Sequence, residues 1–216
     1  MNLPVIVIGA GGHAAVVVDA LLAARRQVLG LTDATPERHG CRICGVPVLG
    51  DDSILADYSP DQVELANGVG NVGAASMSLR RRVQEHLEGA GWQFCGVRHP
   101  SAIVSPFASV DEAVQLMAGC VVQPGATVGK GSIVNTAAVV EHDVVVGAWS
   151  HVAPRAVVCG DVRIGAASHV GAGAVVRQGI TLGPASLVGA GAVVVKSFVG
   201  SGTLIGIPAQ PMEKQV

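Results

Sequence analysis

The sequence predicts two units in series, an α/β domain followed by a parallel β-helix, and three observations carry that prediction. From Val104 to Val194 every sixth residue is aliphatic, sixteen positions without a miss. The residue four places after each is small or β-branched from Ala108 to Ala192, with Phe198 the one large exception. Ahead of this register, Val5 to Asp33 reads as strand, Gly-rich turn, helix and second strand. A period of six fits neither one helix nor a flat strand. It fits short strands joined by tight corners, three units closing a triangular coil of eighteen residues, with about five coils in all. Each aliphatic then points inward and stacks on its equivalent one coil away, at roughly 4.8 Å. Its burial contributes roughly 1.5–3 kcal/mol before chain entropy is subtracted.

The N-terminal elements follow in order. Val5-Ile6-Val7-Ile8 is a short apolar run, read as a buried strand, and Gly9-Ala10-Gly11-Gly12-His13-Ala14 follows as a turn. Ala15 to Ala24 reads as helix and Val28 to Leu31 as a second strand ending at Thr32-Asp33. The pattern is G-x-G-x-x-A with an acid about twenty residues on, a dinucleotide-type turn. Such a turn brings backbone N–H groups and a helix N-terminus to a phosphate. Three readings fit it: NAD, a nucleotide-linked substrate, or a turn needed only for packing. No dehydrogenase catalytic domain follows. Residues 40–60 read as an irregular connection with a strand near Val46–Leu49 and a helix from Asp51. Gln62–Ala66 is expected to be a third parallel strand, with Asn67-Gly68-Val69-Gly70-Asn71 as a second Gly-rich turn at its C-terminal end. Ser76–Gly89 is expected to be a helix whose Arg80-Arg81-Arg82 run is a solvated face, and Trp92–Gly96 a last strand. The predicted boundary gives domains 1–99 and 100–216. After Val199 the period fails, and Gly206-Ile207-Pro208-Ala209 begins a tail expected to close the open end of the coil.

Composition narrows the classes. Charged residues are 14% and aromatics 3%, while apolar residues reach 50% and Gly numbers 29, which suits a thin prism filled with Val and Ala. A net charge of −2 suggests no nucleic-acid surface. So few surface charges imply faces covered in an oligomer. No apolar run reaches the length of a membrane span. The start, Met1-Asn2-Leu3-Pro4, lacks a basic leader, so a cytoplasmic protein is expected. Five cysteines do not make a disulfide framework. Cys95, Cys120 and Cys159 read as buried thiols, and the Cys41–Cys44 pair has metal spacing without a second pair, so no metal is expected.

Polar groups are sparse in the prism. Glu141-His142-Asp143 puts two carboxylates beside an imidazole near a corner, where a neutral His accepts a proton at pH 7 and a carboxylate raises its basicity. A solvated corner cluster is the bland alternative. Gly160 lies eighteen after His142, hence one rung away, where its N–H could meet a developing oxyanion. His151 and His169 are also eighteen apart and stack. Zinc held by these histidines is a third option, with unusual ligand spacing.

Gly11-Gly12-His13, Asn135-Thr136, Glu141-His142-Asp143, His151 before Val152-Ala153-Pro154, and Gly206-Ile207-Pro208-Ala209 together resemble bacterial sugar acetyltransferases that modify nucleotide-activated amino sugars, with the related sialic acid O-acetyltransferases. The likeness spans essentially the whole chain. It implies a Rossmann-like N-terminal domain and a left-handed parallel β-helix of hexapeptide repeats. It also implies a homotrimer with acetyl-CoA between neighbouring prisms and the nucleotide sugar on the N-terminal domain. By motif match, Gly11, Gly12 and His13 would line the sugar-nucleotide site, with Asp33 and Gly70 near base or ribose. His142 would be the base, supported by Asp143, where the family often has Glu. Asn135 and His151 would sit at the acyl group, and Ala172 and Ala190 on the CoA path. The expected reaction is N-acetylation of a UDP- or GDP-linked 4-amino-deoxysugar, of the perosamine or bacillosamine-precursor kind, by direct attack. O-acetylation of a sialic-acid-type sugar and a non-catalytic nucleotide-sugar scaffold are the alternatives.

Overall fold

A computed structural model describes residues 3–70 and 73–212, and the chain divides into two compact units, Met1–Pro100 and Ser101–Val216. In the first, β1 (Val5–Ile8), α1 (Gly12–Ala23), β2 (Val28–Thr32), β3 (Arg42–Ile43), β4 (Val46–Gly50), β5 (Glu64–Asn67) and α2 (Gly73–Gly89) follow one another. The sheet order is β3-β4-β2-β1-β5, parallel except for the short β3–β4 hairpin. Strand β1 is fully apolar because it is central: Val5, Ile6 and Val7 are each 0% exposed. Asn71, expected in the second turn, lies outside the described residues, as do Met1 and Asn2.

Three local expectations differ. Helix α1 begins at Gly12 rather than Ala15, so the glycines of the turn supply the helix's own first turn. Trp92–Gly96 forms no strand; Phe94 makes one isolated parallel bridge to Leu65. Arg80 is not on a solvated face. It is 1% exposed, and its Nη1 donates to the carbonyls of Asn67 (3.0 Å) and Val69 (2.8 Å). Arg81 is the exposed member that pairs with Glu85 at 2.7 Å. A run of three like charges hides which member faces inward, since consecutive helical residues point about 100° apart.

The second unit is the expected prism. Its two-residue strands fall into three parallel faces, each strand pairing with the one eighteen residues on, as in Val121↔Val139, Thr127↔Val145 and His151↔His169. The fold is a left-handed parallel β-helix. The inward column of every face is buried, for example Val122, Val140, Val158 and Val176 at 1% exposure or less. Each sixth residue from Gly119 to Gly191 has φ between 55° and 74°, one left-handed corner after another. Six of these corners are glycine; the others include Asp143, Trp149 and Asp161. The last two strands close the prism's end: Gly202–Ile205 adds to Ser186–Val188, and Gln210–Pro211 pairs back antiparallel.

Three residue columns fill the corners inside. One is Cys120, Ala138, Ala156, Ala174 and Ala192. A second is a ladder of buried serines. The backbone N–H of Ser150, Ser168 and Ser186 donates to the hydroxyl one coil below, while Ser132, Ser150 and Ser168 donate to Gly147, Gly165 and Gly183 carbonyls. The third column grows along the chain as Ala108, Ala126, Val144, Val162, Ile180 and Phe198.

Candidate active site

Two clusters, one in each unit, carry the residues with chemistry. The N-terminal cluster is a cavity of about 350 Å³ at the C-terminal ends of β1, β2 and β5, the edge where open α/β sheets bind ligands. Gly11, Asp33 and Gly70 line it, with Ala10, Thr35, Arg38, Asp52, Gly68 and Val69. Gly12 and His13 sit in the first turn of α1 and do not line the cavity, although a Cβ on Gly70 would lie 3.5 Å from the His13 Cβ. The helix starts from Gly11 in extended backbone with no side-chain cap, and a helix N-terminus at such a turn favours an anion.

Asp33 organises this mouth. Its Oδ2 accepts from the Ala10 N–H (2.8 Å) and Arg38 Nη1 (3.2 Å), and its Oδ1 from the Thr35 N–H (2.9 Å). Burial alone would raise this carboxyl, but hydrogen bonds from Thr35 and Ala10, with Arg38 beside it, hold it below its usual range. Arg38 also donates to the Ala10 carbonyl at 2.9 Å, which fixes a half-exposed guanidinium over the glycine turn. The second turn is equally constrained. A side chain on Gly68 would meet Val7 Cγ1 at 2.7 Å and the Ala14 Cβ at 2.9 Å, so only glycine fits. Behind it the buried Arg80 cation holds the Asn67 and Val69 carbonyls; burial pulls its pKa to about 9, so the charge persists at neutral pH. Sequence reasoning missed Arg38, Asp52 and Arg80.

In the prism, His142 and Asp143 share an exposed corner. His142 Nδ1 lies 2.9 Å from Asp143 Oδ2, so this nitrogen donates and Nε2 is left as the acceptor. The hydrogen bond to Asp143 raises the His142 pKa above its usual value; partial desolvation opposes it, and the charges of Asp143, Glu141 and Asp161 add to it. Gly160 lies against the ring, where a Cβ would come within 2.5 Å of Nε2. His142 and Gly160 line a cavity of about 390 Å³ with Asp161, Gln178 and Gly179. The coil arithmetic that finds Gly160 reaches Asp161 and Gln178 as well, eighteen residues after Asp143 and Gly160.

Asn135 and His151 meet directly, Nδ2 to Nε2 at 2.9 Å. Asn135 Oδ1 accepts from the Thr136 N–H, so its amide donates and His151 carries its proton on Nδ1. His169 stands edge-on to His151, ring centres 4.9 Å apart; burial lowers its pKa, and its Nδ1 has no hydrogen-bond partner among the described residues. Ala172 and Ala190 are exposed corners one coil apart, tied by the Gly191 N–H to the Ala172 carbonyl. Cys120 is buried, Cys95 and Cys159 are half-buried, and burial pushes the Cys95 thiol up to about 12. Cys41 and Cys44 are exposed and free. No group of three or more His, Cys, Asp or Glu among the described residues is placed to hold a metal. No helix among them is long and apolar enough to cross a membrane.

The model of the PglD N-terminal domain matches residues 4–87. PerB from Caulobacter crescentus, solved with CoA and GDP-perosamine, is 36% identical with a TM-score of 0.89, the match covering 97% of each chain. The acetyltransferase domain of PglB from Neisseria gonorrhoeae, solved with acetyl coenzyme A, is 36% identical with a TM-score of 0.89, covering 98% of this chain and 100% of that one. A histidine-to-asparagine variant of perosamine N-acetyltransferase from Caulobacter crescentus, again with CoA and GDP-perosamine, is 35% identical with a TM-score of 0.90, covering 98% and 97%. No curated protein matches by sequence.

Proposed function

The chain belongs to the hexapeptide-repeat sugar N-acetyltransferases with a PglD-type N-terminal domain, and from that premise we propose that it acetylates the 4-amino group of a UDP- or GDP-linked deoxysugar. It is an acetyl-CoA-dependent enzyme. The observation that carries the residue assignment is His142: Asp143 holds its Nδ1, and its Nε2 is free to accept a proton beside Gly160 in a cavity.

In this reading the N-terminal cavity holds the nucleotide sugar. Gly11 and the Arg38 cation line it beside the diphosphate, with Gly12 and His13 behind them in the first turn of α1, while Asp33 and Gly70 lie at the base or ribose. The sugar amine attacks the thioester carbonyl carbon directly. His142 Nε2 takes the excess proton from nitrogen as the N–C bond forms and returns it to the departing thiolate. The Gly160 N–H meets the oxyanion. Asn135, oriented by its bond to His151, fixes the acyl group, and the backbone at Ala172 and Ala190 guides CoA. Bringing the amine and the thioester together supplies much of the rate through proximity. The enzyme acts as a cytoplasmic homotrimer. An outward column of Ile103, Val121, Val139, Val157, Val175 and Val193 supports the oligomer, because so continuous an apolar face favours being covered.

The test is thiol release from acetyl-CoA against a panel of UDP- and GDP-linked 4-aminosugars, with the product weighed by mass spectrometry. Gain of one acetyl on one member supports the reading and names the nucleotide. Silence with CoA still bound moves the acceptor to a hydroxyl, and silence without CoA binding leaves a scaffold.

A further inference from the structure

The acceptor cavity of the prism has a polarity that the base alone does not explain. Its lining is His142, Gly160, Asp161, Gln178 and Gly179, so a carboxylate and a neutral amide share the cavity with the imidazole, and no Lys or Arg lines it. Asp161 stands one coil beyond Asp143 at an equivalent left-handed corner, and its backbone N–H donates to the His142 carbonyl at 3.0 Å. That bond fixes the backbone of Asp161 beside the base, and the Asp161 charge is among those that raise the His142 pKa. Its ion pair with Arg163 is long, 3.7 Å, with both side chains about two-thirds exposed, so it leaves the charge largely unneutralised. Glu141 and Asp143 are the other carboxylates near the imidazole, and Asp143 is already engaged by His142 Nδ1.

Resting on the acetyl-transfer reading, we propose that Asp161 is the residue that selects an amine acceptor over a hydroxyl one. The carboxylate pairs with the acceptor's ammonium form on arrival. The ammonium releases one proton to solvent, and the neutral nitrogen attacks the thioester. As the N–C bond forms and the C–S bond breaks, nitrogen becomes positive until His142 takes its second proton, and Asp161 faces that positive charge. A hydroxyl acceptor brings no cation to the encounter. A sialic-acid-type acceptor also carries its own carboxylate, which this cavity would repel. Asp161 thus touches the substrate and sets its class.

The experiment compares wild type with Asp161→Asn and Asp161→Glu at pH 7, using the active 4-aminosugar nucleotide and the same nucleotide sugar bearing a 4-hydroxyl. Wild type should prefer the amine strongly. Asp161→Asn should raise KM for the amine about tenfold, leave KM for acetyl-CoA unchanged and narrow the amine preference, and Asp161→Glu should restore part of it. Circular dichroism checks that each variant is folded, as expected for an exposed corner. An unchanged amine KM in Asp161→Asn overturns the assignment. So does a loss confined to kcat that tracks a lowered pH inflection, which would mean that Asp161 acts only through His142. Equal transfer to the hydroxyl by wild type overturns it too. A wild type silent with every amine sinks the acetyl-transfer reading itself, this inference with it.

Discussion

His142 concentrates the testable chemistry at the residue scale. Replacing it by Asn keeps a similar shape but removes the basic nitrogen; kcat should fall roughly 10²- to 10⁴-fold with the melting temperature unchanged. Near-wild-type turnover would show that another group takes the proton. The pH profile follows from the raised pKa. As the proposed base, His142 works only when neutral, so kcat/KM should be full above that raised value and fall as pH drops through it. Asp143→Asn removes the largest upward influence, so the inflection should move to lower pH in a titration of rate against pH. Gly160 offers a steric check. An added methyl would reach 2.5 Å from Nε2, so Gly160→Ala should displace the ring and cut kcat while KM for acetyl-CoA stays near wild type.

Elements show what a sequence reveals and what it hides. The prism is legible because its rule is periodic: a core position every six residues and a neighbour every eighteen place Gly160 against His142 and His169 on His151. Those positions depend only on counting. Arg80 depends on something else, the direction in which one face of α2 packs, and its buried guanidinium explains why the Asn67–Gly70 turn holds its shape. Arg38 is hidden in the same way, since a short 3₁₀ segment rather than a repeat brings it over Ala10. Replacing Arg80 by Met keeps the bulk and leaves two carbonyls without their donor. Denaturant unfolding of the variant should show a loss of roughly 2–4 kcal/mol, with a raised KM for the nucleotide sugar in whatever protein remains folded. Wild-type stability would mean that the turn stands without the arginine.

For the whole molecule, the apolar outward column makes assembly the property to test. Light scattering should give three times the chain mass for wild type. Val157→Asp, a charge in the middle of that face, should shift the mass towards one chain. A wild-type monomer would remove the covered-face argument. Within the chain, a second whole-molecule property comes from the corner columns. A repeating rule is indifferent to where it starts: a strand that slipped by a full coil would still bury an aliphatic at every inward position. The third column is not indifferent, because it reads Ala, Ala, Val, Val, Ile, Phe. The serine ladder is bounded too, with Val114 before it and Leu204 after it. A slipped coil would force Val into space shaped for Ala, or leave a serine hydroxyl facing an aliphatic neighbour with no acceptor. The six-residue beat therefore tells each coil what to be, while the graded columns tell it which one it is, giving a nearly self-similar chain a single address for every rung.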